Sequence, residues 1–375
     1  MFLNARTWTD NTGRRIEADI LGKSTDSVTV LLKGKKVKLP LNKLSDADQD
    51  YVKSWSDNQK EDDNSESSMS DDAYFAQQWP KLVSVDLNID IEEVVSEDGT
   101  YIYRSPHYEF VSNTKLSKVP VKRFSVLFEA TRKYVQELPY ACKKAFQEGK
   151  RHQVYLFDSN QAYVKAGGPS GSAGVYLSSK DIILIPCQSL GLIKRGSTWA
   201  LDYDRTNKTL PHEITHQITD REYYAEGARG WFSEGFAEYV AITPYRSGKF
   251  SVSKAPSYIE QFVTSFAKAD RRGRNLGEEI YAPSLKKFMT MSYKQFAYSG
   301  NSGFNYGLSA LLVTYFNHYD GEGEAQNIKN FLRALKAGKK GEEALEVLRA
   351  GRTWEELEKD VTTGWRKRGV KITFG

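Results

Sequence analysis

The sequence Pro211-His212-Glu213-Ile214-Thr215-His216 contains two histidines that are four positions apart. On an α-helix, this spacing places both imidazole rings on one face, one turn apart. Two neutral ring nitrogens in that arrangement can hold a zinc ion, and Glu213 lies beside them at the edge of the helix. The pattern is HExxH, in which the glutamate acts as general base for a zinc-bound water. We therefore predict a metal-binding helix here.

A catalytic zinc site takes three protein ligands and leaves one position for water, so a third ligand is needed. The segment Trp231–Ala241 has apolar residues at helical spacing, with Glu234 and Glu238 on one face. Either carboxylate can reach a metal. We predict Glu234 as the ligand and Glu238 as the group that accepts the free ring N–H of His212. We also expect Gly235 to let this helix approach the metal helix closely. The predicted Zn2+ ligands are His212, His216 and Glu234.

The segments HEITHQ, starting at His212, and WFSEGFAEY, starting at Trp231, resemble the gluzincin metallopeptidases. The third histidine of the metzincin extension is missing, and the chain looks closest to the peptidase MA-like proteins of bacteria. The resemblance implies zinc-dependent hydrolysis of a protein or peptide substrate, with Glu213 as general base. The interval between HExxH and Glu234 is one residue shorter than in the aminopeptidase branch, and no amine-binding motif is evident. Aminopeptidase specificity is therefore not implied.

Two further features are implied by the same resemblance. Gluzincins often use a Tyr or His from the helical part after the third ligand to stabilise the oxyanion. Tyr306, which opens the apolar helix Tyr306–Phe316, is the predicted donor, with Tyr298 as second candidate and a packing role open for both. Gluzincins also hold an extended substrate along an edge strand before the metal helix. Ala173–Leu177 occupies such a position, although an ordinary hairpin with Ile182–Ile185 is the alternative.

Residues 6–55 carry the signals of a small unit built from short strands. Apolar and acidic residues alternate from Ile16 to Ile20, and Ser27–Leu32 is rich in β-branched residues. Ser45 can cap a short helix that follows. The pattern R-x-W-x-D-x-x-G, then V-x-L, a basic loop and P-L-x-x-L-S-x-x-D-x-x-Y resembles the first Sla-homology domain. That resemblance implies an SH3-like β-barrel.

The same domain is known in endocytic adaptors and in many bacterial envelope proteins. In adaptors it binds short peptide motifs, so the resemblance implies a possible peptide ligand for the N-terminal barrel. Trp8 and Tyr51 can line such a groove, or they can belong to the core of the barrel. The sequence leaves both uses open.

The segment from Ser56 to Asp72 is acidic, rich in serine and almost free of apolar residues. Such a segment buries too little surface to offset its ordering entropy, so we predict a disordered linker. The predicted fold class is α+β. Residues 1–55 form a small SH3-like β-barrel, and residues 73–375 form a gluzincin-like domain with a twisted sheet, metal-site helices and a mostly helical part from about residue 254. Predicted elements of this domain include the strand His152–Phe157, the helices Ala325–Lys336, Glu342–Leu348 and Trp354–Trp365, and a final strand, Val370–Phe374.

Composition limits the function classes. The chain has 375 residues, 39% of them hydrophobic, and no apolar run approaches the eighteen or so residues of a membrane helix, so we predict no membrane span. The net charge of +5 is small for this length, and no basic stripe interleaved with aromatics is present. We therefore predict no nucleic-acid partner.

The compartment is left open by the sequence. The first residues are too short for a signal peptide, and an extracytoplasmic location, periplasmic or secreted, is favoured if one has been removed. Cys142 and Cys187 are the two cysteines, and their spacing suits no metal site. They are expected either to pair in an exported chain or to serve as small buried hydrophobes.

Two function classes remain at this point. The first is a zinc peptidase of the gluzincin type. The second is an envelope or adaptor protein that binds zinc with little or no catalysis and recognises a peptide motif through its barrel. Zinc content combined with digestion of an unbiased peptide library distinguishes them.

Overall fold

The computed structural model describes residues 6–24, 26–32, 35–54, 70–85, 88–96, 99–147, 149–196, 198–201, 209–265 and 273–375. Contacts divide the chain into two units, residues 1–70 and 71–375. Residues 56–69 of the predicted linker lie outside the described residues. Asp71 and Asp72, at its predicted end, are the first two residues of a helix in the second unit.

The first unit contains four strands and one helix. They are β1 (Arg6–Thr9), β2 (Arg15–Lys23), β3 (Ser27–Leu32), β4 (Lys35–Pro40) and α1 (Asp46–Ser54). The strands pair antiparallel in chain order. The predicted closed barrel is not found among the described residues, because β1 and β4 do not pair there. An isolated bridge joins only Asp10 and Leu44, which follow the two strands in the chain. A short 3-10 turn, Leu41–Lys43, separates β4 from this bridge.

The first unit has its own core. Its buried apolar residues are Trp8, Ala18, Val28, Val30, Leu44 and Val52. The Trp8 ring is 1% exposed, and its Nε1–H donates to the carbonyl oxygen of Ala18 at 2.8 Å. Tyr51 packs edge-on against Trp8 with ring centroids 6.0 Å apart. Of the two uses left open for Trp8, the structure therefore supports the core.

The second unit is larger and mixes strands with helices. Its strands are β5 (Val83–Ser84), β6 (Glu92–Val95), β7 (Tyr101–Arg104), β8 (Tyr108–Ser112), β9 (His152–Phe157), β10 (Val175–Leu177), β11 (Ile182–Pro186), β12 (Leu192–Arg195), β13 (Thr198–Leu201), β14 (Tyr245–Arg246), β15 (Lys249–Phe250), β16 (Glu279–Ala282) and β17 (Lys371–Phe374). Its helices are α2 (Asp71–Phe75), α3 (Lys118–Glu137), α4 (Asn160–Lys165), α5 (Thr209–Ile218), α6 (Trp231–Ile242), α7 (Ala255–Thr264), α8 (Leu285–Met289), α9 (Tyr293–Tyr298), α10 (Ser302–His318), α11 (Gln326–Lys336), α12 (Gly341–Arg349) and α13 (Trp354–Arg366). The predicted α+β class and the helical C-terminal part are confirmed.

The main sheet of this unit has six strands in the order β10-β11-β9-β8-β7-β6. Strands β8, β9 and β11 run parallel, and α3 is the crossover that a parallel β8–β9 pair requires. Strand β10 pairs antiparallel with β11 and forms one edge of the sheet. Along β8 and β9, buried residues alternate with half-buried ones, so one face packs on the core. The edge strand β10 lies next to α5.

Helices α6 and α10 form the centre of the helical part. Both are apolar almost all round, which is typical of helices inside a core. A Cβ at Gly235 of α6 would lie 2.5 Å from the carbonyl oxygen of Ser309 and 2.8 Å from Val313 Cγ2, both in α10. The expectation that Gly235 brings α6 against the metal helix is therefore wrong. The close approach is to α10 instead.

The C-terminal helices follow the sequence pattern closely. Helices α11, α12 and α13 lie within two residues of their predicted limits, because each has a clear apolar stripe and glycines between them. The last strand, β17, pairs parallel with β16. No helix among the described residues has the length and apolar character needed to cross a membrane. Cys142 and Cys187 are buried and unpaired, and burial raises the pKa of the Cys187 thiol to about 12.

Candidate metal centre

Helix α5 places both motif histidines on one face because its other face is apolar. Leu210, Ile214 and Ile218 are at most 1% exposed and join the core. His212 and His216, four positions apart, then share the face directed at α6. Their ring centroids are 4.7 Å apart. Burial of the apolar face therefore fixes the direction of the two imidazoles.

Helix α6 begins at a sharp turn that aims its first carboxylate at α5. Gly230 precedes the helix with φ of 98°, in the region that favours glycine, and its N–H donates to Ser233 Oγ at 3.0 Å. A Cβ at Gly230 would lie 3.1 Å from Phe296 Cγ. One turn later, Glu234 is buried and faces the two histidines. The tight turn therefore fixes where Glu234 enters the site.

Three ligand atoms converge at this point. His212 Nε2 and His216 Nε2 are 3.0 Å apart, and Glu234 Oε2 lies 3.2 Å from the first and 3.1 Å from the second. Ligands about 2.0–2.1 Å from a tetrahedral zinc ion are roughly 3.3 Å from one another. This is the group of three residues that can hold a metal ion among the described part of the chain.

The opposite nitrogen of each ring is held by a separate partner. His212 Nδ1 lies 3.2 Å from Glu238 Oε1. His216 Nδ1 lies 3.1 Å from the Tyr224 hydroxyl, which donates its own proton to the carbonyl oxygen of His216 at 3.0 Å. The Tyr224 oxygen therefore accepts a hydrogen bond from the Nδ1–H of His216. Protons on both Nδ1 atoms leave both Nε2 lone pairs facing the Glu234 carboxylate.

The residues fit a divalent cation on chemical grounds. The Nε2 lone pairs of His212 and His216 and the Glu234 oxygen are all acceptors, and they face one another without a hydrogen-bond donor between them. A cation at this position supplies the missing positive charge. Without a cation, a proton takes its place. Burial lowers the pKa of His212, but Glu234 and Glu238 more than offset this and raise it to about 10. The pKa of Glu234 is held well below its ordinary value, since the charge of His216 and the hydrogen bonds from both histidines outweigh burial.

Glu213 lies on the same helix, between the two histidines in sequence, and turns towards the sheet edge. The backbone N–H of Tyr176, in β10, donates to Glu213 Oε2 at 2.9 Å. A Cβ at Gly174 would lie 3.7 Å from Glu213 Cγ, so the chain just before β10 packs closely on this side chain. The predicted base and the predicted edge strand are therefore in direct contact.

Two tyrosines from the helical part reach the centre. The Tyr306 ring stacks on His212 with centroids 6.0 Å apart and an angle of 29°. Tyr293, in α9, donates its O–H to Glu234 Oε1 at 3.0 Å. Burial raises the pKa of both hydroxyls. Tyr298, the second candidate from the sequence, is 77% exposed.

Arg274 completes the surroundings of Glu238. Its Nη2 donates to Glu238 Oε1 at 2.9 Å, and its guanidinium lies 5.1 Å from the centroid of the Tyr306 ring. Burial raises the pKa of Glu238, but the hydrogen bond from His212 and the charge of Arg274 outweigh it and lower the pKa overall. The arginine thus keeps the carboxylate charged and able to hold the ring N–H of His212.

The sequence did not predict Tyr224, Tyr293 or Arg274 as members of the site. They are distant in sequence from one another, belong to abundant residue types and follow no spacing rule. The remaining histidines lie elsewhere. His107 contacts Glu129, His152 lies in β9, and His318 accepts from or donates to the Tyr239 hydroxyl.

Comparison with known proteins concerns the N-terminal unit. A family model described as SLA1 homology domain 1 matches residues 2–60. No curated protein and no solved structure matches the chain. The match supports the resemblance that the sequence carries in residues 6–55, and it indicates a role in protein interaction for this unit without naming a partner.

Proposed function

We propose that residues 71–375 form a zinc-dependent peptidase of the gluzincin type. The observation that carries the proposal is the convergence of His212 Nε2, His216 Nε2 and Glu234 Oε2 within 3.2 Å of one another. Glu213 adjoins this group and contacts an edge strand of the main sheet. Metal ligands, a base and a substrate-binding edge in one place support peptide hydrolysis more than a purely structural metal site.

In this proposal, His212, His216 and Glu234 hold the zinc ion. When bound, zinc polarises a carbonyl group and lowers the pKa of a water molecule towards neutrality. Glu213 serves as the general base. Its Oε2 accepts the N–H of Tyr176, which orients the carboxylate and leaves Oε1 to take a proton and to deliver it to the leaving amine.

Strand β10 is the proposed docking edge for an extended peptide. It is the outermost strand of the six-stranded sheet and contacts the base through Tyr176. Backbone groups at a free sheet edge can pair with a substrate strand, which gives affinity without demanding a particular sequence. A peptide bound in this way passes beside Glu213.

Tyr306 remains the proposed donor to the oxyanion, and Tyr293 is a second donor at the same place. Their raised pKa values keep both hydroxyls protonated at neutral pH. An O–H held beside the metal ligands can donate to negative charge that develops on a substrate carbonyl oxygen. The hydrogen bond from Tyr293 to Glu234 makes Tyr306 the donor with more freedom to engage substrate.

The test combines metal analysis with digestion of an unbiased peptide library. We expect one zinc per chain, cleavage that a chelator abolishes, and loss of zinc in His216→Ala. Glu213→Gln should keep zinc and lose about 100- to 10,000-fold in turnover, the usual contribution of a general base. Glu222→Gln, an exposed acid, is the matched control and should keep full activity. Unchanged zinc in His216→Ala, or unchanged turnover in Glu213→Gln, refutes the proposal.

A second function is favoured by the match over residues 2–60. In this second function, the chain is an envelope or adaptor protein. Its SH3-like N-terminal unit binds a short peptide motif, and its zinc site is catalytically weak or inactive. Bound zinc with no cleavage of any library peptide, together with specific capture of peptides by the N-terminal unit, supports this function. Cleavage that depends on Glu213 argues against it.

A further inference from the structure

Arg229 is exposed and contacts the ring of Tyr293, whose hydroxyl binds the proposed metal ligand Glu234. Its guanidinium carbon lies 4.8 Å from the centroid of the Tyr293 ring. The hydroxyl of the same tyrosine donates to Glu234 Oε1 at 3.0 Å. Arg229 directly precedes Gly230, at the start of α6. The side chain is therefore anchored beside the metal centre by a cation–π contact.

Within the described ranges, Arg229 makes no ion pair with a carboxylate. Two other arginines of the same unit that contact an aromatic ring pair with a carboxylate. Arg274 contacts Glu238 at 2.9 Å, and Arg333 contacts Asp72 at 2.9 Å. Arg229 also lies at the N-terminal end of a twelve-residue helix, where the backbone dipoles favour an anion. Arg229 therefore has a positive charge that no carboxylate of the described residues pairs with.

We propose that Arg229 recognises a carboxylate of the peptide substrate close to the scissile bond, so that the enzyme prefers acidic substrates. This inference rests on the proposed peptidase function. A guanidinium that contacts a ring through its face can keep N–H groups for a two-pronged contact with a carboxylate. Carboxylates at Glu213 and Glu234 otherwise repel an acidic substrate, and Arg229 offsets that repulsion. The carboxylate belongs either to an Asp or Glu side chain or to the C-terminus.

The experiment uses the full chain and two pairs of peptide libraries with randomised positions. The first pair has capped ends and one fixed central residue, Glu or Gln. The second pair has a free acid or an amide at the C-terminus and no fixed acid. Cleavage rates are measured with Glu213 present, and dissociation constants are measured in the Glu213→Gln background. Both measurements compare native Arg229 with Arg229→Gln, Arg229→Glu and Arg246→Gln. Arg246 is an exposed arginine in β14 and serves as the matched control.

In one pair, we expect the library with the carboxylate to be cleaved and bound roughly tenfold better than its neutral partner. The contact is charge-assisted, but it is partly open to solvent. The pair that shows it identifies the source of the carboxylate. The preference should vanish in Arg229→Gln, persist in Arg246→Gln, and reverse against Glu peptides in Arg229→Glu. Zinc content and thermal midpoint should stay unchanged in these variants.

Other results overturn the inference and can be told apart from failure of the peptidase proposal. Equal cleavage rates and dissociation constants for the two members of both pairs refute the role of Arg229. A preference that persists in Arg229→Gln refutes it as well. Preference in binding without any cleavage refutes hydrolysis and leaves carboxylate recognition intact. Neither cleavage nor binding refutes both.

Discussion

The two histidines of the proposed metal site are held at Nδ1 by partners of different chemistry. Glu238 holds His212 with a negative charge, which strengthens the ring as a ligand, whereas Tyr224 holds His216 with a neutral hydroxyl. Arg274 in turn balances the charge of Glu238. The surroundings of the predicted metal position are thus asymmetric, and the two carboxylates of α6 have different tasks.

The first prediction separates those two carboxylates. Glu234→Gln removes a ligand oxygen, so this variant should be nearly free of zinc after dialysis. Glu238→Gln should keep zinc, with affinity lowered about 10- to 100-fold because only the hold on His212 is weakened. Zinc per chain and competition with a chelator measure both. The opposite order of zinc loss would exchange the two roles.

The second prediction concerns Tyr293. Tyr293→Phe removes the O–H that fixes Glu234 Oε1, and zinc affinity should fall about tenfold, as is usual when the partner of a ligand is lost. Tyr298→Phe is the control, because Tyr298 lies on the same short helix but is 77% exposed. Equal zinc affinity in the two variants would show that the hydrogen bond contributes nothing to the metal site.

At the scale of elements, the site depends on how closely α6 approaches α10. Gly235 is the point of contact, since its missing side chain leaves room for the backbone of Ser309. Glu234 precedes this glycine and lies on the side of α6 that faces α5. A shift of α6 away from α10 therefore moves Glu234, a proposed metal ligand.

The third prediction uses this contact. Gly235→Ala places a Cβ 2.5 Å from the Ser309 carbonyl oxygen, and such overpacking should lower the free energy of unfolding by about 1–3 kcal/mol. Gly303→Ala is the matched control within α10, where a Cβ meets nothing within 4 Å. Urea unfolding measures both variants. Equal stability would mean that α6 and α10 separate at no cost.

The fourth prediction concerns pH and strand β9. Burial lowers the pKa of His152 from its ordinary 6.5 to about 4. Between pH 6.5 and pH 4, His152 takes up a proton in the unfolded chain but not in the folded chain. Its contribution to the free energy of unfolding is therefore complete above pH 6.5 and is lost as the pH drops towards 4. The loss from this one group is at most about 3 kcal/mol.

His152→Phe keeps a ring beside Tyr108 and removes the titrating group. Its free energy of unfolding should therefore decrease less than that of wild type between pH 7 and pH 4.5, as measured by urea unfolding across that range. His318, whose pKa is also lowered to about 4 by burial, should behave similarly when replaced by Gln. Parallel pH curves for wild type and His152→Phe would contradict the assignment.

At the scale of the whole molecule, the chain is two units with separate cores. The second unit begins at Asp71, the first residue of α2. Asp72 contacts Arg333 at 2.9 Å, and the Phe75 ring is 1% exposed beneath the same guanidinium. The start of this unit therefore packs against α11 through Arg333, which comes some 260 residues later in the chain.

The fifth prediction follows from that attachment. Limited proteolysis should cut first between residues 56 and 69, where the sequence is acidic and almost without apolar residues. The stable product should begin at or before Ser70, so that α2 is retained. Mass spectrometry of the fragments gives the first residue. A stable product that begins after Phe75 would show that α2 is dispensable.

The sequence by itself determined the features that depend on near neighbours. The HExxH spacing predicted a helix with both histidines on one face, the glycines separated the predicted helices α11, α12 and α13, and β9 was predicted with its observed limits. Helical and strand periods are properties of a short segment, so they can be read without knowing what the segment packs against.

Only the tertiary structure decided which distant groups meet. Tyr293 reaches Glu234 and Arg274 reaches Glu238 through the packing of other segments, and Gly235 faces α10 rather than α5. The same holds for β1 and β4, which do not pair with each other among the described residues. These contacts join residues far apart in the chain. They depend on how whole elements fill space together, and no local pattern encodes that.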